Sequence, residues 1–212
     1  MKQKQSKLLS AAGVCGVLVP IVTFTFIALA IYYSSGFSWT ENWLSELAGT
    51  AGEKPIWAAR GLSSLLFNIG IIIAGILGVV CAIAVRRIRV LDSSLGRLGT
   101  LLLTIDMFAL LAVGVFPLTT GYLHDIVSFL FFILVPLSLI PIGTTLRKTP
   151  EKNFGWFMTF LGVISLCSFP LFFIPQPWGG NAIIEMIPAV SLSACAIIFG
   201  VSLLKGKFDL KE

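Results

Sequence analysis

The chain has 212 residues, of which 57% are hydrophobic and only 12% are charged, and its mean hydropathy is +0.97. Because soluble domains carry about 25% charged residues, this composition excludes a soluble domain and indicates an integral membrane protein. The net charge of +5 does not predict a nucleic-acid partner, since membrane topology explains where the basic residues lie.

Six apolar segments are long enough to cross a bilayer. They cover residues 8–33, 60–85, 98–116, 124–146, 154–174 and 183–204. The sequence therefore predicts an all-α fold, with residues 1–212 forming one six-helix transmembrane bundle. The first segment follows a basic start, as in a signal peptide, but its apolar run is longer than the roughly 7–15 residues of a signal core. We expect it to remain uncleaved.

Between the first two spans the sequence predicts a short interfacial helix over residues 39–48. Trp39, Trp43 and Leu47 recur every four residues, which is typical of one helix face. Ser38 and Glu41 have capping-box spacing at its start. Two interpretations stay open at this stage: the tryptophans anchor the helix at the headgroup level, or the helix forms a lid over a pocket.

Span two carries a ridge of small residues for close helix packing. Gly70, Ala74, Gly78 and Ala82 recur every four residues along it, while Asn68 lies on a different face. This ridge can pack inside the bundle or between two copies of the chain, so Gly70, Ala74 and Gly78 are the candidate contacts of a homo-oligomer.

Spans three and four form a hairpin that holds the most informative polar residues. Asp106 lies ten residues before Phe116, about 15 Å at helical rise, and hence near the bilayer midplane. A carboxyl at that depth costs at least about 2.5 kcal/mol, so by default it indicates a function. His124 and Asp125 open span four, and Ser128 follows one turn later.

The basic residues predict the topology. All but Lys54 and Arg60 lie at the N-terminus, in the connections after spans two and four, or at the C-terminus. The positive-inside rule then places both termini in the cytoplasm, for a multi-pass protein of the cytoplasmic membrane. Four of the five tryptophans fall at the outer interface, which agrees with this orientation.

With this topology, polar groups enter the membrane from the outer side and predict an outward-facing polar pocket. Its expected ligand-binding residues are Glu46, Asn68, Asp106, His124, Asp125 and Ser128. Asp106 would form the floor, provided that spans two, three, four and six are neighbours. The competing interpretation is that Asp106 and Asn68 serve packing alone.

The residue types limit the chemistry of such a pocket. A single histidine excludes a His-rich zinc site and a bis-His haem, and we predict no metal and no cofactor. Ser128 is one turn from His124, but a Gly-x-Ser-x-Gly motif and a clear oxyanion hole are missing from the sequence. His124 and Asp106 are the candidates for catalysis, although we favour a protein that is not an enzyme.

Several short motifs occur together in one order. Asn42-Trp43-Leu44-Ser45-Glu46-Leu47 follows span one, Asn68 lies in span two, Gly114-Val115-Phe116-Pro117 closes span three and His124 opens span four. In these features most of the chain resembles the prokaryotic polytopic family catalogued as domain of unknown function 998. The resemblance implies six spans and no established activity. The architecture is more faintly similar to the Frag1/DRAM/Sfk1 group, which is linked to membrane-lipid handling.

The leading functional hypothesis is the binding of a membrane lipid or other amphiphile, whose head would lie among the outer polar groups and whose chain would lie between helices. Three alternatives stay open: a proton-coupled carrier of a small solute that uses Asp106, a hydrolase that uses His124, and a structural protein without a ligand.

Overall fold

The computed structural model describes residues 2–211, with side chains from Lys7 onward. Its helices are α1 (Lys2–Tyr32), α2 (Leu62–Val85), α3 (Ser94–Val115), α4 (Tyr122–Leu146), α5 (Lys152–Ser168) and α6 (Ala182–Leu204). A 3-10 helix, Phe169–Phe173, extends α5, so that six helical segments are long and apolar enough to span a membrane. Residues 2–211 contain no β-strand, and the predicted all-α six-span fold is confirmed.

The six helices form a ring in chain order. Each helix packs against the next, and α6 packs against α1 to close the ring. The α5–α6 junction is the least extensive of these neighbouring contacts, and α6 touches α4 only slightly. We call the end with the α1–α2, α3–α4 and α5–α6 connections the distal end, and the opposite end, with both termini, the terminal end.

The small residues of α2 pack inside this ring. A Cβ on Gly70 would lie 2.2 Å from Phe26 of α1, and one on Gly78 would lie 2.4 Å from the sulfur of Met107 in α3. Ala74, between them, is fully buried. The ridge predicted from the sequence thus brings α2 close to both of its neighbours within one chain.

The α1–α2 connection differs from the helix predicted over residues 39–48. Only a 3-10 helix, Leu44–Ala48, forms there. The Asn42 side chain accepts the Ser38 backbone N–H at 2.8 Å, and the Ser38 hydroxyl lies against Thr40 rather than capping a helix. The predicted short helix is therefore confirmed only in its second half, which ends before Gly49. Its first half and the capping box are wrong, because these contacts hold residues 38–42 in turns.

A second contact, here called the distal clasp, joins residues 40–42 to residues 180–182. The backbone N–H of Gly180 donates to the Thr40 carbonyl at 2.7 Å, and that of Ala182 donates to the Asn42 carbonyl at 3.0 Å. A Cβ on Gly180 would lie only 2.4 Å from backbone atoms of Asn42, so a side chain there would force the two connections apart.

The C-terminal residues fold back over the terminal end. Phe208 stacks on Phe199 of α6 with ring centroids 5.1 Å apart, and the Arg89 backbone N–H donates to the Asp209 carbonyl at 2.8 Å. The Lys211 ammonium lies 2.6 Å from an Asp92 carboxylate oxygen. Its hydrogen bond and charge hold the pKa of Asp92 below its ordinary value.

Gly180→Ala tests the distal clasp. We expect the added methyl group to break its two backbone hydrogen bonds and to lower the free energy of unfolding by about 1–3 kcal/mol. Unfolding in mixed micelles measures the change. Pro177→Ala, an exposed position in the same connection, is the matched control; equal stability of the two variants would contradict the clasp.

Lys211→Ala tests the C-terminal contact through the titration of Asp92. A depressed folded-state pKa contributes stability above the ordinary aspartate pKa of about 4, and this stability is lost as the pH falls through the folded-state value. We expect the Asp92 midpoint, followed by ¹³C NMR in micelles, to rise in Lys211→Ala and to stay unchanged in Lys205→Ala. An unchanged midpoint in Lys211→Ala would refute the contact.

Candidate functional site

A cavity of about 500 Å³ opens at the distal end, between α4, the end of α5 and the α1–α2 connection. This volume lies within the range of small-molecule sites. We call it the distal cavity. Its polar lining consists of Ser45, Glu46, His124, Asp125, Ser128 and Glu185. Its aromatic lining consists of Trp43, Phe129, Phe132, Phe169, Phe172 and Phe173.

His124 is the most deeply buried polar group of this cavity. Only 3% of its surface is exposed, and its Nδ1 lies 2.8 Å from the Phe116 carbonyl oxygen. Because a carbonyl can only accept, Nδ1 carries the hydrogen. In the neutral ring Nε2 is then an acceptor, and the Ser128 hydroxyl lies 3.0 Å from it. The backbone thus sets the tautomer that lets Ser128 donate to His124.

The α3–α4 turn explains why the Phe116 carbonyl is available. Helix α3 ends at Val115, and Phe116 leaves the helical region with φ −110° and ψ 80°. Pro117 follows, and a proline disfavours helical backbone at the residue before it. The Gly114-Val115-Phe116-Pro117 motif therefore ends α3 and frees a carbonyl for His124.

Two of the carboxyl groups are tied to the α1–α2 connection. Glu185, in the first turn of α6, is 5% exposed and accepts a hydrogen bond from the Leu44 backbone N–H. Glu46 accepts from the Asn42 amide at 2.7 Å and from the Trp43 backbone N–H at 3.3 Å. These contacts fix the carboxyl groups where α6 and the connection meet.

The aromatic lining depends on the 3-10 helix that extends α5. Pro170 lies at its start, and its three-residue period places Phe169 and Phe172 on one face. Phe172 stacks on Phe132 of α4 with centroids 4.9 Å apart, and Phe169 meets Phe129 edge-on at 5.3 Å. An apolar surface of packed aromatic rings therefore lies beside the polar groups.

A narrow crevice of about 70 Å³ leads from the distal cavity into the ring. The two spaces share Ser45, His124, Ser128, Phe132 and Glu185. Its other lining residues are mostly apolar, among them Val19, Ile71, Leu110 and Leu192, and include the hydroxyls of Thr23 and Ser193. The lining therefore becomes mainly apolar inside the ring.

The structure does not bring Asp106 and Asn68 into these spaces. Asp106 is fully buried, and neither of its carboxyl oxygens has a hydrogen-bond partner among the described residues. Gly99, two turns before Asp106 in α3, packs against Ile142 of α4. Because residues seven apart lie on the same helix face, Asp106 also lies on the face of α3 that meets α4. The Asn68 amide turns instead to the Trp57 carbonyl, 3.4 Å away.

Sequence reasoning placed His124, Ser128, Glu46 and Asp125 at the site, and all four line the distal cavity. It missed Ser45, the cavity role of Glu185 and the whole aromatic lining. Glu185 gave a signal, as a carboxyl in the first turn of an apolar span. A second signal was the density of phenylalanines over residues 169–173.

Asp106→Val tests whether the buried carboxyl has an unseen partner. Since an unpaired carboxyl in a bilayer is costly, we expect its removal to raise the free energy of unfolding by about 1–3 kcal/mol. Thr104→Val is the matched control, because it removes a hydroxyl already bonded to the Thr100 carbonyl in the same helix. A clear loss of stability in Asp106→Val alone would mean that the carboxyl is satisfied.

Comparison with known proteins places this geometry in a family. A family model described as "Protein of unknown function (DUF998)" matches residues 17–202, which include parts of α1 and α6 and all four helices between them. No curated protein and no solved structure gives a significant match. The match confirms the resemblance seen in the short motifs, and the chain belongs to the DUF998 family of proteins of unknown function.

Proposed function

We propose that this multi-pass membrane protein binds a lipid-like amphiphile in the distal cavity. The observation that carries the proposal is the meeting of polar and aromatic linings in one space of about 500 Å³ at the end of a transmembrane ring. Such a space suits a molecule with a polar head and an apolar chain.

The order of side chains along α4 supports a definite orientation of that molecule. His124, Ser128 and Phe132 follow one another at four-residue intervals and all line the cavity. Each interval advances about 6 Å along the helix, so the lining changes from polar to aromatic over roughly 12 Å. The head would lie at the His124 level, with the chain along the phenylalanines or in the crevice.

The charged residues of the distal cavity limit which head groups the proposed ligand can have. Glu46, Asp125 and Glu185 line the cavity, whereas none of the lysine and arginine residues that the structure describes does so. A phosphate without a compensating cation would be repelled here. The proposed ligand therefore has a cationic or an uncharged, hydroxyl-rich head.

The distribution of basic residues supports a cytoplasmic terminal end and an outward-facing distal cavity in the cytoplasmic membrane. His124, Ser128, Glu46 and Asp125 are the proposed ligand contacts in this arrangement, while Asp106 and Asn68 would affect binding only through packing.

A proton-coupled carrier has less support. Inside the ring, nearer the terminal end, a cavity of about 50 Å³ is lined by apolar and sulfur-containing side chains such as Met107, Leu139 and Met158. A polar space of about 470 Å³ at the terminal end, beside Glu151 and Lys207, shares no lining residue with that cavity. A solute on its way to the terminal end would meet no polar side chain in the cavity of about 50 Å³, whereas a bound lipid chain requires none.

Native mass spectrometry of protein purified in mild detergent tests the proposal. Wild type should retain a defined small molecule, and Glu46→Gln combined with Asp125→Asn should lower its retention by roughly 10- to 100-fold, because charge-assisted hydrogen bonds are lost. Ser128→Phe, which fills the cavity, should abolish retention.

Glu53→Gln is the matched control for these variants. Glu53 lies at the same end but outside the cavity, where hydrogen bonds from Thr50 lower the pKa of its carboxyl and Arg60 lies 3.7 Å away. Retention should equal that of wild type in this variant. An empty wild-type protein, or an adduct that survives Ser128→Phe in a folded protein, would overturn amphiphile binding in this cavity.

A further inference from the structure

The Ser128–His124 pair differs from the other hydroxyl groups of the spans. Thr104, Thr145 and Ser191 each donate to the backbone carbonyl four residues earlier, which is the usual arrangement inside a helix. Ser128 has its Oγ 3.0 Å from the ring Nε2 of the residue four positions earlier, His124. An acceptor nitrogen has replaced the carbonyl as its partner.

This arrangement has the parts of an activated nucleophile. The Phe116 carbonyl orients the imidazole through Nδ1, at 2.8 Å, and leaves Nε2 to accept the serine proton. A hydroxyl bonded to a base that is oriented by a third group is the geometry of nucleophilic catalysis. Here a backbone carbonyl has the orienting role that a carboxylate has in the Ser-His-Asp triad.

The pair also lies where a substrate could reach it. Ser128 is half-buried and lines both the distal cavity and the crevice, at the change from polar to apolar lining. Ser45 lines the same two spaces and offers a second hydroxyl. An amphiphile bound as proposed above would hold the junction between its head and its chain beside Ser128.

We propose that Ser128 is a nucleophile activated by His124 and that the protein cleaves an ester that joins the head and the acyl chain of its amphiphile. The inference rests on the proposed function and adds a reaction to it. The ligand class is thereby narrowed to acyl esters with a cationic or uncharged head.

The reaction is an acyl transfer without a redox step. Ser128 Oγ forms a bond to the ester carbonyl carbon while His124 Nε2 takes its proton, and the Ser45 hydroxyl is the proposed donor to the oxyanion. The bond to the alcohol oxygen then breaks, and His124 protonates the leaving alcohol. Water attacks the acyl-serine, His124 takes its proton and returns it to Oγ, and the carboxylic acid leaves.

Labelling with a long-chain alkyl fluorophosphonate tests the nucleophile in the full-length protein in micelles. The probe phosphonylates an activated serine and releases fluoride. Peptide mass spectrometry of wild type should find the label on Ser128 and none on Ser193, a serine of the crevice without a histidine partner. Ser128→Ala should lose the label, and His124→Gln should form it at least about 100-fold more slowly.

The outcomes separate this inference from amphiphile binding. If native mass spectrometry finds a retained amphiphile but wild-type Ser128 stays unlabelled, or if Ser128 and Ser193 react alike, the nucleophile is refuted and binding stands. If neither adduct nor label forms, both proposals fail. An unchanged labelling rate in His124→Gln would show that His124 is not the base. If His124→Gln does not fold, the difference in labelling between Ser128 and Ser193 in wild type still tests whether Ser128 is an activated nucleophile.

Discussion

The hydrogen bond between His124 Nδ1 and the Phe116 carbonyl is the interaction on which the candidate site depends. The carbonyl is free to accept this bond because the backbone leaves the helical region at Phe116, the residue before Pro117. The bond fixes the tautomer of the imidazole, and the tautomer makes Nε2 the acceptor for Ser128. A local feature of the chain, the residue before a proline, thereby determines the chemistry of a buried ring eight residues away.

A second constraint brings the remaining groups to that ring. Helix α6 hardly touches α4, yet Glu185 lines the same cavity as His124. The α1–α2 connection bridges the gap, because the distal clasp holds residues 40–42 against residues 180–182 and Glu185 accepts the Leu44 N–H. The cavity thus lies beside the least extensive junction of the ring, and its shape depends on these two connections as well as on the contacts of α4 with the end of α5.

The spans were predictable from the sequence because hydropathy and length are local properties of the chain. The His124–Ser128 contact was also predictable, because residues four apart meet on one face of a helix. Only the first half of the 39–48 helix was mispredicted, because the Asn42 side chain binds the Ser38 N–H and because Gly180, far away in the chain, binds the Thr40 carbonyl. Asp106 and Asn68 were assigned to the pocket by depth alone, whereas the order of helices in the ring decides which neighbour each faces. To predict the role of Glu185 and the aromatic lining, one would also have to know the order of the helices in the ring.

Nitrogen-15 NMR of the imidazole in lipid nanodiscs tests the account most directly, because His124 is the only histidine of the chain and its two ring nitrogens are free of overlap. The account predicts a hydrogen on Nδ1 and an unprotonated Nε2. Removal of the bound amphiphile by delipidation should shift the Nε2 resonance and leave Nδ1 nearly unchanged. A hydrogen on Nε2 with a bare Nδ1, or an Nε2 resonance indifferent to delipidation, would contradict the account.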